Sequence, residues 1–184
     1  VFERRVHWRK YADEALVVDE EWRDNYPAVI AVAPVMLKKF QEEERAGRMF
    51  RASADWVRDN YAEERIRIAS LNALAKDKDS FRVLHDGTNG VAVNPQILPR
   101  DQLRAPASGE GKHALRRLAI ATGVRLGLKG DASNAHRLVK TNESDWALQS
   151  CRLNDKGEIW LNKVGTFGIG STSYWWGRLF SGIG

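Results

Sequence analysis

The hydrophobic period of the chain changes at Glu64, and this change limits the fold more than any other feature of the sequence. Before it, apolar residues recur at helical spacing. After it, Arg65-Ile66-Arg67-Ile68-Ala69 alternates polar and apolar residues, as a strand with one buried face does. Lys76-Asp77-Lys78-Asp79-Ser80 is a polar turn, and Phe81-Arg82-Val83-Leu84-His85 reads as a second strand, so a hairpin with a cationic tip is expected between Arg65 and His85. A second hairpin is expected where Asp145 to Leu153 and Glu158 to Val164 flank Asn154-Asp155-Lys156-Gly157.

The helices have their own punctuation. Pro34 fits the first turn of a helix that carries Val35, Leu37 and Phe40 and stops at Gly47. Ser53 fits the cap of a short helix with Trp56, Val57 and Tyr61, while Trp8 and Trp22 fit a core or a docking face. Gly111 to Ala121 predicts a helix with Ala114, Leu115, Leu118 and Ala119 on one side and Arg116 and Arg117 on another. A last helix is expected from about Ser171, carrying Tyr174, Trp175, Trp176, Leu179 and Phe180.

Between these helices an apolar run, Val124 to Leu128, has strand character and leads through Gly130 to Asp131, where small residues let the backbone turn tightly. Such an aspartate fits two roles. It can cap a helix or an Asx-turn, or it can deliver a carboxylate to a cleft, where Mg²⁺ takes one or two carboxylates and completes its shell with phosphate oxygens and water.

Charge separates these further. Between Phe81 and Lys140 ten Lys or Arg face four acids, a net of +6 in a chain whose total is +5, so the remainder is −1. A basic middle suits a polyanion, and nucleic acid is the usual one; the other reading is a solvated basic surface. With 184 residues and 43% hydrophobic content there is enough apolar material for a packed core. One cysteine, Cys151, excludes an internal disulfide and suits a reducing, intracellular setting; it is expected buried and inert. No apolar run approaches the roughly 18 residues of a membrane span, so no membrane partner is expected. His7, His85, His113 and His136 show no zinc spacing. Gly165 through Gly170-Ser171-Thr172 lacks the lysine of a phosphate loop, which argues against ATP hydrolysis. The chain opens without methionine and reads as a piece of a longer protein.

From about Ile66 to Phe180 the order of parts resembles the reverse transcriptases, in particular retroelement RNA-directed DNA polymerases. In that family a fingers hairpin has a basic tip and an arginine on its second strand, followed by an aspartate and a loop; Lys76 or Lys78, Arg82 and Asp86 fall in those places. The family's first palm motif is a strand, an aspartate, three residues, a small residue and an aromatic. Asp131, Ala135 and His136 match it, with histidine where tyrosine or phenylalanine is usual. The next motif runs Pro, any residue, Gly, an apolar residue, small residues, Pro and then aromatics on a helix. Thr166 to Ser173 align with it, Thr166 and Ser173 replacing the prolines and Trp176 taking the aromatic position.

The resemblance implies an α+β fold, a partial right-hand polymerase: a helical N-terminal segment over residues 1–63, a fingers-like region over 64–123 and an incomplete palm over 124–184. It implies addition of deoxynucleotides to a primer 3′-hydroxyl by two-metal nucleotidyl transfer. Asp131 would be the catalytic carboxylate and hold Mg²⁺ (or Mn²⁺), two ions in the complete site. Lys76 or Lys78 with Arg82 would neutralise the triphosphate, and Ala135, His136, Phe167 and Gly168 would line the nucleotide pocket. In the bland alternatives Arg82 is an ordinary surface residue of a strand and the lysines are solvated turn residues. Arg116 and Arg117 are the candidate contacts to primer-template nucleic acid, RNA or DNA. The other partners implied are deoxynucleoside triphosphates and the remainder of the same polyprotein. The family's paired catalytic aspartates have no counterpart before Gly184, so the fragment itself is expected to be inactive. The alternative function is a non-catalytic nucleic-acid-binding domain, a decayed copy of such a polymerase. The polymerase reading makes one geometric demand: Arg82, Asp131 and Phe167, far apart in sequence, must surround one cleft.

Overall fold

The computed structural model describes residues 2–4, 23–77, 80–99, 101–103, 107–123, 131–154 and 157–181. The fold is α+β, as expected. The first helix, α1 (Pro27–Arg45), starts earlier than the sequence suggested. Pro27 sits at its first turn, where a missing N–H costs nothing, and Pro34 lies in its interior, where it withdraws the donor that the Ile30 carbonyl would otherwise have. The helix stops where expected: Gly47 takes a φ of +70°, and its N–H donates to the Glu44 carbonyl at 2.9 Å.

Val29, Met36 and Phe40 form the buried stripe of α1 and pack against Met49, Leu71, Ala73, Cys151 and Trp160, with Phe40 edge-on to Trp160 at 5.3 Å between ring centroids. The strand β2 (Met49–Ala52) was not foreseen. It pairs antiparallel with β8 (Ile159–Asn162), from Met49 opposite Asn162 to Ala52 opposite Ile159. Ser53 caps α2 (Ala54–Asn60) as expected, its hydroxyl accepting from the Trp56 N–H at 3.1 Å.

Two strands complete this sheet, β3 (Ile68–Ala69) and β7 (Ser150–Cys151), in the order β2-β8-β7-β3, with β3 parallel to β7 and the other pairs antiparallel. All four residues of β8 are buried. Trp160 faces the α1 core, while Ile159 and Leu161 pack with Val57 of α2 and Ala147, so the strand is covered on both faces. Because β2 and β8 share a sheet, residues of the expected N-terminal helical segment pair with residues of the expected palm.

Both expected hairpins exist in altered form. The first is β4 (Leu71–Ala75) with β5 (Phe81–His85), Leu71 opposite His85 and Ala75 opposite Phe81. Its first strand therefore lies after Arg65 to Ala69. The alternating stretch instead runs against a 3₁₀ helix over Glu143–Gln149: the Arg67 N–H donates to the Ala147 carbonyl at 3.0 Å, and Arg65 pairs with Asp145. The true strand, Leu71-Asn72-Ala73-Leu74-Ala75, is rich in alanine and carries a weak strand signal. The tip is where it was expected, closed by the Lys76 N–H to the Ser80 carbonyl at 2.9 Å. The second hairpin shrinks to β7 and β8, since Asn142 caps the 3₁₀ helix and takes residues 143–149 out of the strand.

Val93–Gln96 forms a short helix, α3, and β6 (Asp101–Leu103) pairs antiparallel with β1 (Phe2–Arg4). The helix expected from Gly111 to Ala121 is α4 (Ser108–Thr122), and none of its residues is buried. The strand Val124 to Leu128 that it was to feed lies outside the described residues, as do Lys78, Trp8 and Trp22. After Asp131 comes a 3₁₀ helix, Ala135–Leu138, and the last helix, α5 (Gly170–Ser181), starts one residue before the expected Ser171. Cys151 is fully buried and burial pushes its thiol up, as expected of an inert side chain. Among the described residues no helix is long and apolar enough to cross a membrane.

Candidate functional site

Five segments meet at a cavity of about 550 Å³. The hairpin brings Lys76 from its tip and Arg82 and His85 from β5. The turn at Asp131 and the 3₁₀ helix after it bring Asp131, Ala135, His136 and Arg137. The chain leaving β8 brings Thr166 and Phe167, α5 brings Trp176, and α1 brings Lys39, Phe40 and Glu43.

The mouth carries a stack. The Arg82 guanidinium lies 4.8 Å from the centre of the Phe167 ring, and the His136 ring lies 4.2 Å from the same ring, tilted by 43°. A planar cation over one aromatic face holds Phe167 in place and keeps the Arg82 donors at the cavity. His136 also approaches the Ser173 hydroxyl at 3.5 Å. Burial, with the Arg82 charge adding to it, holds this imidazole below its ordinary pKa, so it is neutral at pH 7.

A glycine fixes how Phe167 reaches this place. Gly168 has a φ of +102°, and any Cβ there would sit 1.8 Å from the His85 carbonyl oxygen. That contact lets the 167–168 segment run against the end of β5, where the His85 N–H donates to the Phe167 carbonyl at 2.8 Å. The Gly168 backbone packs against the His85 carbonyl, and Gly168 is not among the residues that line the cavity.

The floor is a charge network. Glu43 accepts from Arg48 at 2.7 and 2.9 Å and from Arg137 Nε at 2.9 Å, and Arg137 also donates to Asn162 Oδ1 at 2.7 Å. Glu43 and Arg137 are only 15% and 13% exposed, so neither charge has much water to fall back on. Burial pushes the Glu43 carboxyl up, but the hydrogen bonds and charges of Arg48 and Arg137 outweigh it and bring the group down to about 2. The Arg137 pKa is lowered too, by burial first, with the Arg48 charge adding to it against the pull of Glu43. A guanidinium stays protonated regardless, so Glu43 is the member of the pair that titrates.

The walls are different. Among the described residues four neutral buried atoms, Ser80 Oγ, His85 Nδ1, His136 Nδ1 and Thr166 Oγ1, have no hydrogen-bond partner and belong to residues that line this cavity. The charged Arg137 Nη2 makes no hydrogen bond either, but it lies 2.8 Å from Glu43 Oε2 as an ion pair. Each such neutral atom costs about 1–3 kcal/mol in a folded protein. His85 is 5% exposed, and burial, aided by the Arg137 charge, pushes its imidazole down to about 3. A larger cavity, of about 730 Å³, opens beside α1 at Ile30, Leu37 and Arg51. None of the four unpartnered atoms lies on it, and Arg51 is paired there with Glu44 and Glu158.

Of the residues singled out in the sequence, Lys76, Arg82, Asp131, Ala135, His136 and Phe167 come together at one cavity. Arg116 and Arg117 do not line it; they stand exposed on α4. Asp86 turns its carboxylate inward on the fold, taking the Thr88 and Asn89 N–H groups at 3.1 and 3.0 Å and the Tyr26 hydroxyl at 2.7 Å. Lys39, Glu43, Ser80, His85 and Arg137 were not foreseen as site residues. For Glu43 a partial signal existed, because within Glu42-Glu43-Glu44 both Glu43 and Glu44 continue the helical phase of Met36 and Phe40 and Glu42 does not. Asp131 is a single carboxylate, and among the described residues no three His, Cys, Asp or Glu side chains gather where they could hold a metal ion. No protein-family model matches the chain, and no curated protein matches its sequence.

Proposed function

We propose that the cavity is a nucleotide site and the chain part of an RNA-directed DNA polymerase, with the β4–β5 hairpin as fingers and the sheet containing β8 as the start of a palm. One observation carries this reading: Arg82, Asp131 and Phe167, far apart in sequence, line a single cavity. An ordinary strand arginine and an ordinary turn aspartate have no reason to meet at an aromatic-lined cleft.

In this reading Arg82 and Lys76 neutralise a deoxynucleoside triphosphate, the arginine by its forked donors and the lysine as a point charge. His136 and Phe167 present flat rings to the sugar and base, and Ala135 leaves room for them. Asp131 supplies one carboxylate toward Mg²⁺ or Mn²⁺. One carboxylate does not make a two-metal site, so the residues described account for binding and positioning, and the carboxylates that complete the chemistry must come from elsewhere in the polypeptide.

Calorimetric titration with deoxynucleoside triphosphates tests this. Binding should weaken by about tenfold in Arg82→Ala, on the order of the worth of one charge-assisted contact. Equal affinity in wild type and variant, or none in either, removes the nucleotide site.

A second reading, a non-catalytic nucleic-acid-binding domain, is favoured by α4, whose exposed surface carries Lys112, Arg116 and Arg117. Such a helix would grip phosphates without reading sequence.

A further inference from the structure

Two of the four unpartnered wall atoms belong to side chains that are more than nine-tenths buried, His85 at 5% exposed and Thr166 at 2%. They come from different segments, β5 and the chain after β8, and these segments are tied by the His85 N–H to the Phe167 carbonyl. Both line the cavity beside Phe167. Neither carries charge at neutral pH, since burial keeps the imidazole unprotonated and threonine has only its hydroxyl. The charged groups behave otherwise: Glu43 and Arg137 are paired on the floor, and Arg82 covers Phe167 at the mouth. A fold that compensates its buried charges yet leaves neutral polar atoms open around one cavity has kept those atoms for something that fills it.

We propose that His85 and Thr166 form a neutral polar subsite that holds an uncharged group of the ligand, a hydroxyl, carbonyl or amide of a nucleoside, and not its phosphates. The proposal rests on the nucleotide reading above and assigns to two further residues the part of the ligand that Arg82 and Lys76 do not touch. Thr166 offers one donor and two acceptor positions, and neutral His85 offers one of either kind at Nδ1, so together they can fix the orientation of a group that both gives and takes a hydrogen bond. A site built in this way discriminates strongly, because a ligand lacking the group leaves two buried atoms unpaired.

The test compares Thr166→Val, which keeps shape and removes the hydroxyl, with His85→Leu, each against wild type, using thermal melting of the free protein and titration with deoxynucleoside triphosphates and with inorganic triphosphate. Thr166→Val should raise the melting temperature of the free protein while weakening deoxynucleoside triphosphate binding about fivefold, the usual worth of one neutral hydrogen bond. His85→Leu should weaken it by a similar factor, and both variants should bind inorganic triphosphate as wild type does. A lower melting temperature in Thr166→Val with unchanged nucleotide binding overturns the proposal, since the hydroxyl would then be structural. Parallel loss of nucleotide and inorganic triphosphate overturns it in favour of a phosphate contact. Should wild type bind neither probe, the nucleotide reading fails and the subsite falls with it.

Discussion

The floor and the walls of the cavity are both buried and both polar, yet they are finished differently. On the floor the Glu43 carboxylate is gripped by Arg48 and Arg137, and Arg137 is held in turn by Asn162. On the walls Ser80, His85, His136 and Thr166 each have a buried atom with no partner. Physical cost explains the division. An unpaired buried charge is intolerable to the fold, whereas an unpaired hydroxyl or imidazole nitrogen costs little enough to be kept for a ligand. In the nucleotide reading proposed above, the floor serves stability and the walls serve binding.

Breaking the floor should have the largest effect. Glu43→Ala leaves two arginines facing each other around a cavity and should destabilise the protein by about 3–5 kcal/mol, measured by urea denaturation. A loss under about 1 kcal/mol would mean that the network is solvated and the contrast unreal.

Acid should weaken the floor without mutation. Glu43 has a folded pKa near 2 against an ordinary value of 4.5, so its contribution is present above pH 4.5 and is lost as pH falls toward 2; the full shift corresponds to about 3 kcal/mol. His85 acts in the same direction over a higher window. Its folded pKa near 3 lies below the ordinary 6.5, so the unfolded chain binds the extra proton between those values and stability falls as pH drops from 6.5 toward 3. Stability measured from pH 7 to 3 should decline in wild type, with a shallower slope in Glu43→Gln below pH 4.5. Equal slopes there would separate Glu43 from the acid response.

The joint between wall and hairpin comes next. Gly168→Ala must accommodate a Cβ against the His85 carbonyl at a φ of +102° and should cost about 1–3 kcal/mol from backbone strain alone, while lowering nucleotide affinity because Phe167 shifts. An unchanged melting temperature would show that the 167–168 segment is not seated on β5.

These contrasts also mark how far the sequence could be read. The cationic hairpin tip, the Ser53 cap, the Gly47 stop and the last helix were legible because each depends on a few neighbouring residues with strong local preferences. The sheet was not. β2 is four residues long, and its partner β8 is more than a hundred positions away, so nothing local announces it. The Arg65 to Ala69 alternation carried a strand signal, but only Ile68 and Ala69 form a strand, paired with β7 and not with β5, while Arg65 and Arg67 contact the 143–149 helix. Arg82, Asp131 and Phe167 were found through spaced motifs. The residues that finish the site, Glu43, His85 and Arg137, were missed because their roles come from burial, which a charge count hides.

The smallest effects are expected at α4. Arg116→Ala and Arg117→Ala remove exposed side chains and should leave stability within about 0.5 kcal/mol. If this helix grips nucleic acid, each should lower the slope of log K against log salt by about one unit, read from titration of a labelled primer-template. Adjacent residues point about 100° apart on a helix, so an effect at only one of the two is compatible with the reading, and an effect at neither ends it.

The central claim is that the cavity below Arg82 and Phe167 is where a nucleotide sits. Photo-crosslinking with an azido-deoxynucleoside triphosphate, followed by peptide mapping, reads the location directly. The account predicts labelled peptides from residues 80–86, 131–139 and 165–176, with labelling suppressed by excess unmodified deoxynucleoside triphosphate and weakened in Arg82→Ala. Labelling concentrated instead at Ile30, Leu37 and Arg51, beside the larger cavity along α1, would contradict it.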